Sequence, residues 1–199
     1  MVIKNLTKLH CKDVAKIHFK SFPGFFLTSL GENFLYSFYK AVVKNKDSKC
    51  IGLFEHDNLI GFAIGSKTNG SFYKKVFLQS FLQLATAAFI PLMKQPKYIL
   101  QLIFSLLSLN KVNFESKNYA ILLSICVNPK HESKGYGKKL INEFEKIIFE
   151  SSTTIILTTD ADNNSHVNNF YLRNGYLLKT DFYQGQRKMN LYYKLKDLL

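Results

Sequence analysis

The sequence predicts an α/β fold, on three observations. Residues 119–127 form a nearly all-apolar run, as a strand covered on both faces requires. This run leads through a short basic loop into Gly135-Tyr136-Gly137, after which Leu140, Ile141, Phe144, Ile147 and Ile148 recur at helical spacing. Hairpin-like pairs of short strands stand before and after this unit, so strands and helices are interleaved along the chain.

Taken in order, residues 2–6 read as a short strand and 10–22 as a helix, with Val14, Ile17 and His18 at helical spacing. Phe22-Pro23-Gly24-Phe25-Phe26 is an apolar loop broken by a turn. Ser29-Leu30-Gly31-Glu32 has the form of a capping box, so the next helix is expected to start there and run to about Val43. Residues 49–54 and 59–65 flank His56-Asp57-Asn58, a hairpin signal. Beyond the central strand and its helix, 153–159 is a strand and 165–174 a helix closed by Gly175. Residues 176–183 and 187–195 make a second hairpin around Gln184-Gly185-Gln186.

Residues 71–114 stand apart as a helical insertion between the third and fourth strands. From residue 58 to 114 there is no acidic residue, while Lys67, Lys74, Lys75, Lys94, Lys97 and Lys111 are all basic. Residues 76–93 carry no charge and barely suffice to span a bilayer, and 98–110 are too short to return. A single crossing between two strands of one sheet is topologically implausible. Gln79, Gln83 and Thr86 line one polar stripe, and Gln101, Ser105 and Ser108 another, which predicts two amphipathic helices. They are expected to pack on the core beside the functional cleft, with part of their surface in a homodimer contact. A lid over that cleft and a peripheral membrane anchor are the alternatives.

The composition bounds the rest. A chain of 199 residues, 47% hydrophobic and 15% aromatic, suits a single domain over 1–199 that carries the insertion. Cys11, Cys50 and Cys126 are widely spaced with no CxxC, which favours a reducing cytoplasm over a disulfide framework or a zinc site. The histidines lack metal-ligand spacing, so no metal is expected. Met1-Val2-Ile3-Lys4-Asn5 leads straight into a polar segment, again pointing to a cytoplasmic protein without a leader. The net charge of +13 attracts anions of several kinds. Its lysines are scattered, with no basic arm or aromatic–basic pattern, so no nucleic-acid partner is expected.

Two segments carry chemistry. In the first, the run to Val127 is followed by Asn128-Pro129-Lys130-His131-Glu132-Ser133-Lys134-Gly135-Tyr136-Gly137-Lys138. Two glycines at a helix start leave backbone N–H groups uncovered, and with the helix dipole they make a phosphate site. The second is Asn164-Ser165-His166-Val167-Asn168-Asn169-Phe170-Tyr171-Leu172-Arg173-Asn174-Gly175-Tyr176. The first resembles the Q/R-x-x-G-x-G/A acyl-coenzyme A loop of the GCN5-related N-acetyltransferase (GNAT) superfamily, with Glu132 in place of Gln/Arg. The second is similar to the superfamily's N-x-x-A-x-x-F-Y-x-x-x-G-F/Y, with Val167 for Ala.

The resemblance implies a mixed, mostly antiparallel sheet with helices on both faces, whose two central parallel strands splay at their carboxyl ends. It implies an acyl-CoA-dependent N-acetyltransferase that moves the acetyl group of acetyl-CoA to a primary amine by direct transfer in a ternary complex. Cofactor contacts then fall to Ile125 and Val127 on the splayed strand, to Ser133, Lys134, Gly135, Tyr136, Gly137 and Lys138 in the turn, and to Asn164. Tyr171 matches the tyrosine that protonates departing coenzyme A, and so belongs to both the cofactor and the catalytic set. Asp160, ending its strand at the cleft, is the carboxylate chosen as base, with Asp162 and Glu32 as alternatives. Cys126 lies near the same place but is read as a small buried hydrophobe. The acceptor is expected to be a small-molecule amine, and a weak likeness around 160–164 and 187–190 points to an amino-sugar nucleotide. The alternatives are a protein or peptide N-acetyltransferase, and a catalytically degenerate module binding membrane or nucleic acid.

Overall fold

The structure is a computed structural model and describes residues 1–67, 72–95 and 119–198. Seven strands form one sheet: β1 (Val2–Asn5), β2 (Ser48–Glu55), β3 (Asn58–Ser66), β4 (Tyr119–Val127), β5 (Thr154–Asp160), β6 (Leu177–Gln184) and β7 (Arg187–Leu195). Their order is β1-β2-β3-β4-β5-β7-β6, and every neighbouring pair is antiparallel except β4 with β5. The helices are α1 (Cys11–Ser21), α2 (Phe26–Ser29), α3 (Glu32–Lys44), α4 (Phe72–Gln79), α5 (Phe81–Lys94), α6 (Tyr136–Ile148) and α7 (Ser165–Arg173).

Alternation along the strands supplies a core on each face of the sheet. Cys50, Phe54, Phe62 and Ile64 face α1, α3, α4 and α5, whose Val14, Phe34, Phe38, Val76 and Leu84 fill that side. Ile51, Leu53 and Ala63 face the other way, against Leu140, Ile141, Phe144 and Ile148 of α6. The stripe read from the sequence is thus the buried face of α6. Gly65 lets that helix come close, since a Cβ there would lie 2.4 Å from Phe144 Cζ and 2.3 Å from Ile121 O.

The cleft comes from the pairing of the central strands. β4 and β5 are in register over Tyr119–Ile121 and Thr154–Ile156 alone, and beyond that point they part. On the opposite edge of β4, Gly65 pairs with Leu122 and Ile64 with Ser124, leaving Leu123 as a bulge. A bulge bends its strand and re-aims the side chains after it. Here it falls where β4 leaves β5.

Three local expectations need correction. The helix α3 starts from Gly31, at φ +87°, and not from a Ser29 capping box. Ser29 Oγ instead donates to Phe26 O at 2.7 Å within the short helix α2, which begins at the last residue of the stretch read as a loop and was not expected. The uncharged run 76–93 is divided at Ser80 between α4 and α5.

Both of these helices pack on α3, burying Phe72, Val76, Leu84 and Ala88 in its core. Each large apolar side chain buried there contributes about 1.5–3 kcal/mol. Two residues of the expected polar stripe reach α3 and its end: Asn45 Nδ2 donates to Gln79 Oε1 at 3.1 Å, and Gln83 Nε2 donates to Ser37 O at 3.3 Å, while Thr86 is exposed and bonds back to Leu82 O and Gln83 O. The helix expected over 98–110 lies outside the described residues. Among the described residues, no helix is long and apolar enough to cross a membrane.

Candidate active site

The parting of β4 from β5 opens a cavity of about 880 Å³. Sites for small molecules have this order of volume. One end is the turn that joins β4 to α6. Asn128 Oδ1 accepts from Lys130 N at 3.2 Å and caps a short 3-10 turn over Pro129–His131. Gly135 then adopts φ +76°, a left-handed conformation that a Cβ penalises. Lys139 N–H is the first in α6 to bond back, to Gly135 O at 3.1 Å. The amides of Tyr136, Gly137 and Lys138 therefore have no helical carbonyl to meet. Gly137 keeps this surface low, because a Cβ there would already touch Phe170 Cε2 at 3.3 Å.

The side walls are Ile125, Cys126 and Val127 of β4 and Asn164, Val167, Phe170 and Tyr171 of α7 and its start. Asn164 does not cap its helix with its side chain. Its Nδ2 reaches back to Thr159 Oγ1 at 2.9 Å and Asp160 O at 3.1 Å, which fixes α7 against the free end of β5. Asn168 extends this tie: it donates to Asp160 O and accepts from Asn190 Nδ2 and Tyr192 Oη, both at 2.9 Å.

Tyr171 is buried, and burial first, with Cys126 nearby second, pushes its phenol upward, so it remains protonated and able to donate. Cys126 is likewise pushed up by burial, and a thiol held protonated is no nucleophile.

The other end is aromatic. Phe22 and Phe25 from the α1–α2 connection, Phe26 from α2, Phe38 and Tyr39 from α3, and Phe77 from α4 line it, together with His18 of α1. Arg187 enters from β7, its guanidinium 4.8 Å from the Phe25 ring centroid.

Of the residues named from the sequence, the structure brings Ile125, Val127, Ser133, Gly135, Tyr136, Gly137, Lys138, Asn164 and Tyr171 to this one cavity. Lys134 is exposed on the turn and is not among the lining residues, and neither is Asp160. Both Asp160 oxygens are held by Arg187, which donates from Nε at 2.9 Å and from Nη2 at 2.7 and 2.6 Å. Both oxygens are thus directed at Arg187 and not into the cavity. Glu32 is exposed at the outer end of α3. Sequence reasoning missed Arg187 as a lining residue and missed the pairing of His18 with Tyr39 across 21 positions. His18 was visible on the buried face of its helix, but its partner was not.

The turn fits an acyl-coenzyme A. Uncovered amides and Lys138 suit its pyrophosphate. Ser124 Oγ and His131 Nδ1, on two lining residues, are buried polar atoms without a partner among the described residues. Among those residues there is also no cluster of side chains able to hold a metal.

Comparison with known proteins agrees. No curated protein matches the chain. Among solved structures, it resembles a spermidine N-acetyltransferase SpeG chimera from Vibrio cholerae and hSSAT, at TM-score 0.60 and 14% identity, covering 99% of this chain and 97% of that one. It also resembles a PaiA N-acetyltransferase from Thermoplasma acidophilum in complex with coenzyme A, at TM-score 0.59 and 17% identity, with 98% of each chain covered. A third likeness is to the ribosomal-protein-S18-alanine N-acetyltransferase from Escherichia coli, at TM-score 0.55 and 14% identity, covering 98% and 92%. At these identities the likenesses speak to the fold. The sequence itself matches the acetyltransferase (GNAT) family over residues 11–176, spanning both the Gly135 turn and Tyr171. The chain belongs to the GNAT family of acyl-CoA-dependent N-acetyltransferases.

Proposed function

We propose that the protein transfers an acetyl group from acetyl-CoA to the primary amine of a small, apolar or aromatic molecule that also bears negative charge. The observation that carries this reading is the single cavity joining the amide-rich turn, Tyr171 and the aromatic end. A thioester donor in the splay and an amine among the phenylalanines would meet there without a covalent enzyme intermediate. Tyr136, Gly137 and Lys138 would hold the pyrophosphate by their amides, with Lys138 adding charge. The β4 edge at Ile125 and Val127 would align the pantetheine arm. Tyr171 would give its phenolic proton to the leaving thiolate.

Charge narrows the acceptor. Of the described residues lining the cavity, Glu132 is the one carboxylate, and it belongs to the cofactor turn. A polyamine would find nothing to neutralise it at the aromatic end. Arg187 supplies the opposite charge, with its Nη1 left over from the pairing with Asp160. An amino-sugar nucleotide combines a stacking base, phosphate charge and a reactive amine, and is the acceptor favoured here.

Calorimetry with coenzyme A and thiol release from acetyl-CoA test the reading. The panel is a UDP-linked amino sugar, 2-phenylethylamine, spermidine and an N-terminal alanine peptide. Release with the sugar nucleotide above spermidine is expected. A folded protein that binds no coenzyme A overturns the reading.

A further inference from the structure

The described residues at the aromatic end offer little to receive the amine's proton. Asp160 is taken by Arg187, and Glu132 lies on the far turn. Of the histidines lining the cavity, His131 belongs to the turn after β4 and His166 to α7, while His18 comes from α1 beside Phe22. His18 sits on the last full turn of α1 with 6% of its surface exposed. Its ring lies 4.7 Å from that of Phe22 and 5.6 Å from that of Tyr39. Nδ1 is 2.6 Å from Tyr39 Oη. Nε2 is buried and has no hydrogen-bond partner among the described residues, although His18 lines the cavity. Buried ring nitrogens are nearly always paired. One left unpaired on a cavity-lining residue is suited to a ligand group that completes it.

We propose that His18 takes the proton from the attacking amine at Nε2, with Tyr39 positioning the ring through Nδ1. This rests on the transfer reading above. The tautomer required carries its hydrogen on Nδ1 and donates it to Tyr39 Oη, leaving the Nε2 lone pair free to accept. Burial supports the arrangement by lowering the imidazole pKa to about 4, which keeps that lone pair available at neutral pH.

The step balances. The amine nitrogen bonds to the thioester carbonyl carbon. Once bonded, the nitrogen is a far stronger acid than a free ammonium, so a weak base suffices. Its proton passes to Nε2. The carbon–sulfur bond breaks, and the thiolate takes the Tyr171 proton. His18 returns its proton to water and Tyr171 regains one, so amine plus thioester gives amide plus thiol. The amine must arrive neutral.

The test uses the full chain with His18→Ala, His18→Gln and Tyr39→Phe. The assay is acetyl transfer to whichever amine of the panel turns over fastest, with coenzyme A affinity measured in parallel. His18→Ala should lower kcat by about 100-fold or more while the coenzyme A Kd stays within about twofold. Added imidazole should restore part of that loss. Tyr39→Phe should cost up to about tenfold in kcat. Retained turnover within about threefold in His18→Ala overturns the proposal. So does a rise in amine KM with kcat unchanged, which makes His18 a binding contact. If both His18 variants lose coenzyme A binding, the residue is structural and the proposal fails. A wild-type protein that binds coenzyme A but acetylates no amine overturns the transfer reading itself, and this proposal with it.

Discussion

Two buried side chains are held in their neutral forms, as the proposed roles of acid and base require. Tyr171 keeps its proton because burial penalises the phenolate. Tyr171→Phe removes one oxygen and little packing, so kcat should fall about 100-fold with coenzyme A affinity unchanged, as steady-state kinetics beside calorimetry would record. His18 stays unprotonated because burial penalises the imidazolium, from 6.5 down to about 4. A depressed folded value means that acid favours the unfolded chain, which binds the proton more readily. The stability linked to His18 is thus complete above pH 6.5 and is lost as pH falls toward about 4. The difference amounts to about 3 kcal/mol. Urea unfolding at a series of pH values should show a shallower acid slope for His18→Gln than for the wild type.

At the scale of elements, the site depends on how closely α6 and β4 approach β3. Gly65 is the closest point, with Ile121 O and the Phe144 ring both inside the reach of a Cβ. Gly65→Ala must move either the β4 backbone or the α6 helix, at a cost of about 1–3 kcal/mol by denaturant unfolding. Coenzyme A affinity should fall with it, because the same helix presents Tyr136, Gly137 and Lys138. The loop-to-helix unit was legible in the sequence, since the glycines, the basic loop and the apolar stripe lie within a few turns of one another. The start of α3 was misread because the Ser29–Glu32 pattern matches a capping box in type, while Gly31, in a left-handed conformation, provides the turn.

For the whole molecule, one ion pair ties the two ends of the second half together. Lys194 of β7 donates to Glu145 of α6 at 2.7 Å, with the side chains 8% and 3% exposed. Lys194→Met would strand a carboxylate in the core and should cost about 3–5 kcal/mol in chemical denaturation, with Glu145→Gln recovering part of it. The net charge of +13 acts at longer range. Association with anionic coenzyme A should slow as salt rises, which stopped-flow mixing would detect, while release changes less. The sequence by itself determined most of the strands and helices, though not α2 or the start of α3, and it singled out the Gly135 turn and Tyr171, which the structure brings to one cavity. Hydrophobic period and backbone demand are written into neighbouring residues. Tertiary structure alone decided that Asp160 meets Arg187, that His18 meets Tyr39, and that Phe25 and Phe77 share a cavity with Gly135. Those meetings join residues 27, 21 and more positions apart. They exist because β7 lies beside β5, α3 packs on α1, and β4 parts from β5 after three paired residues.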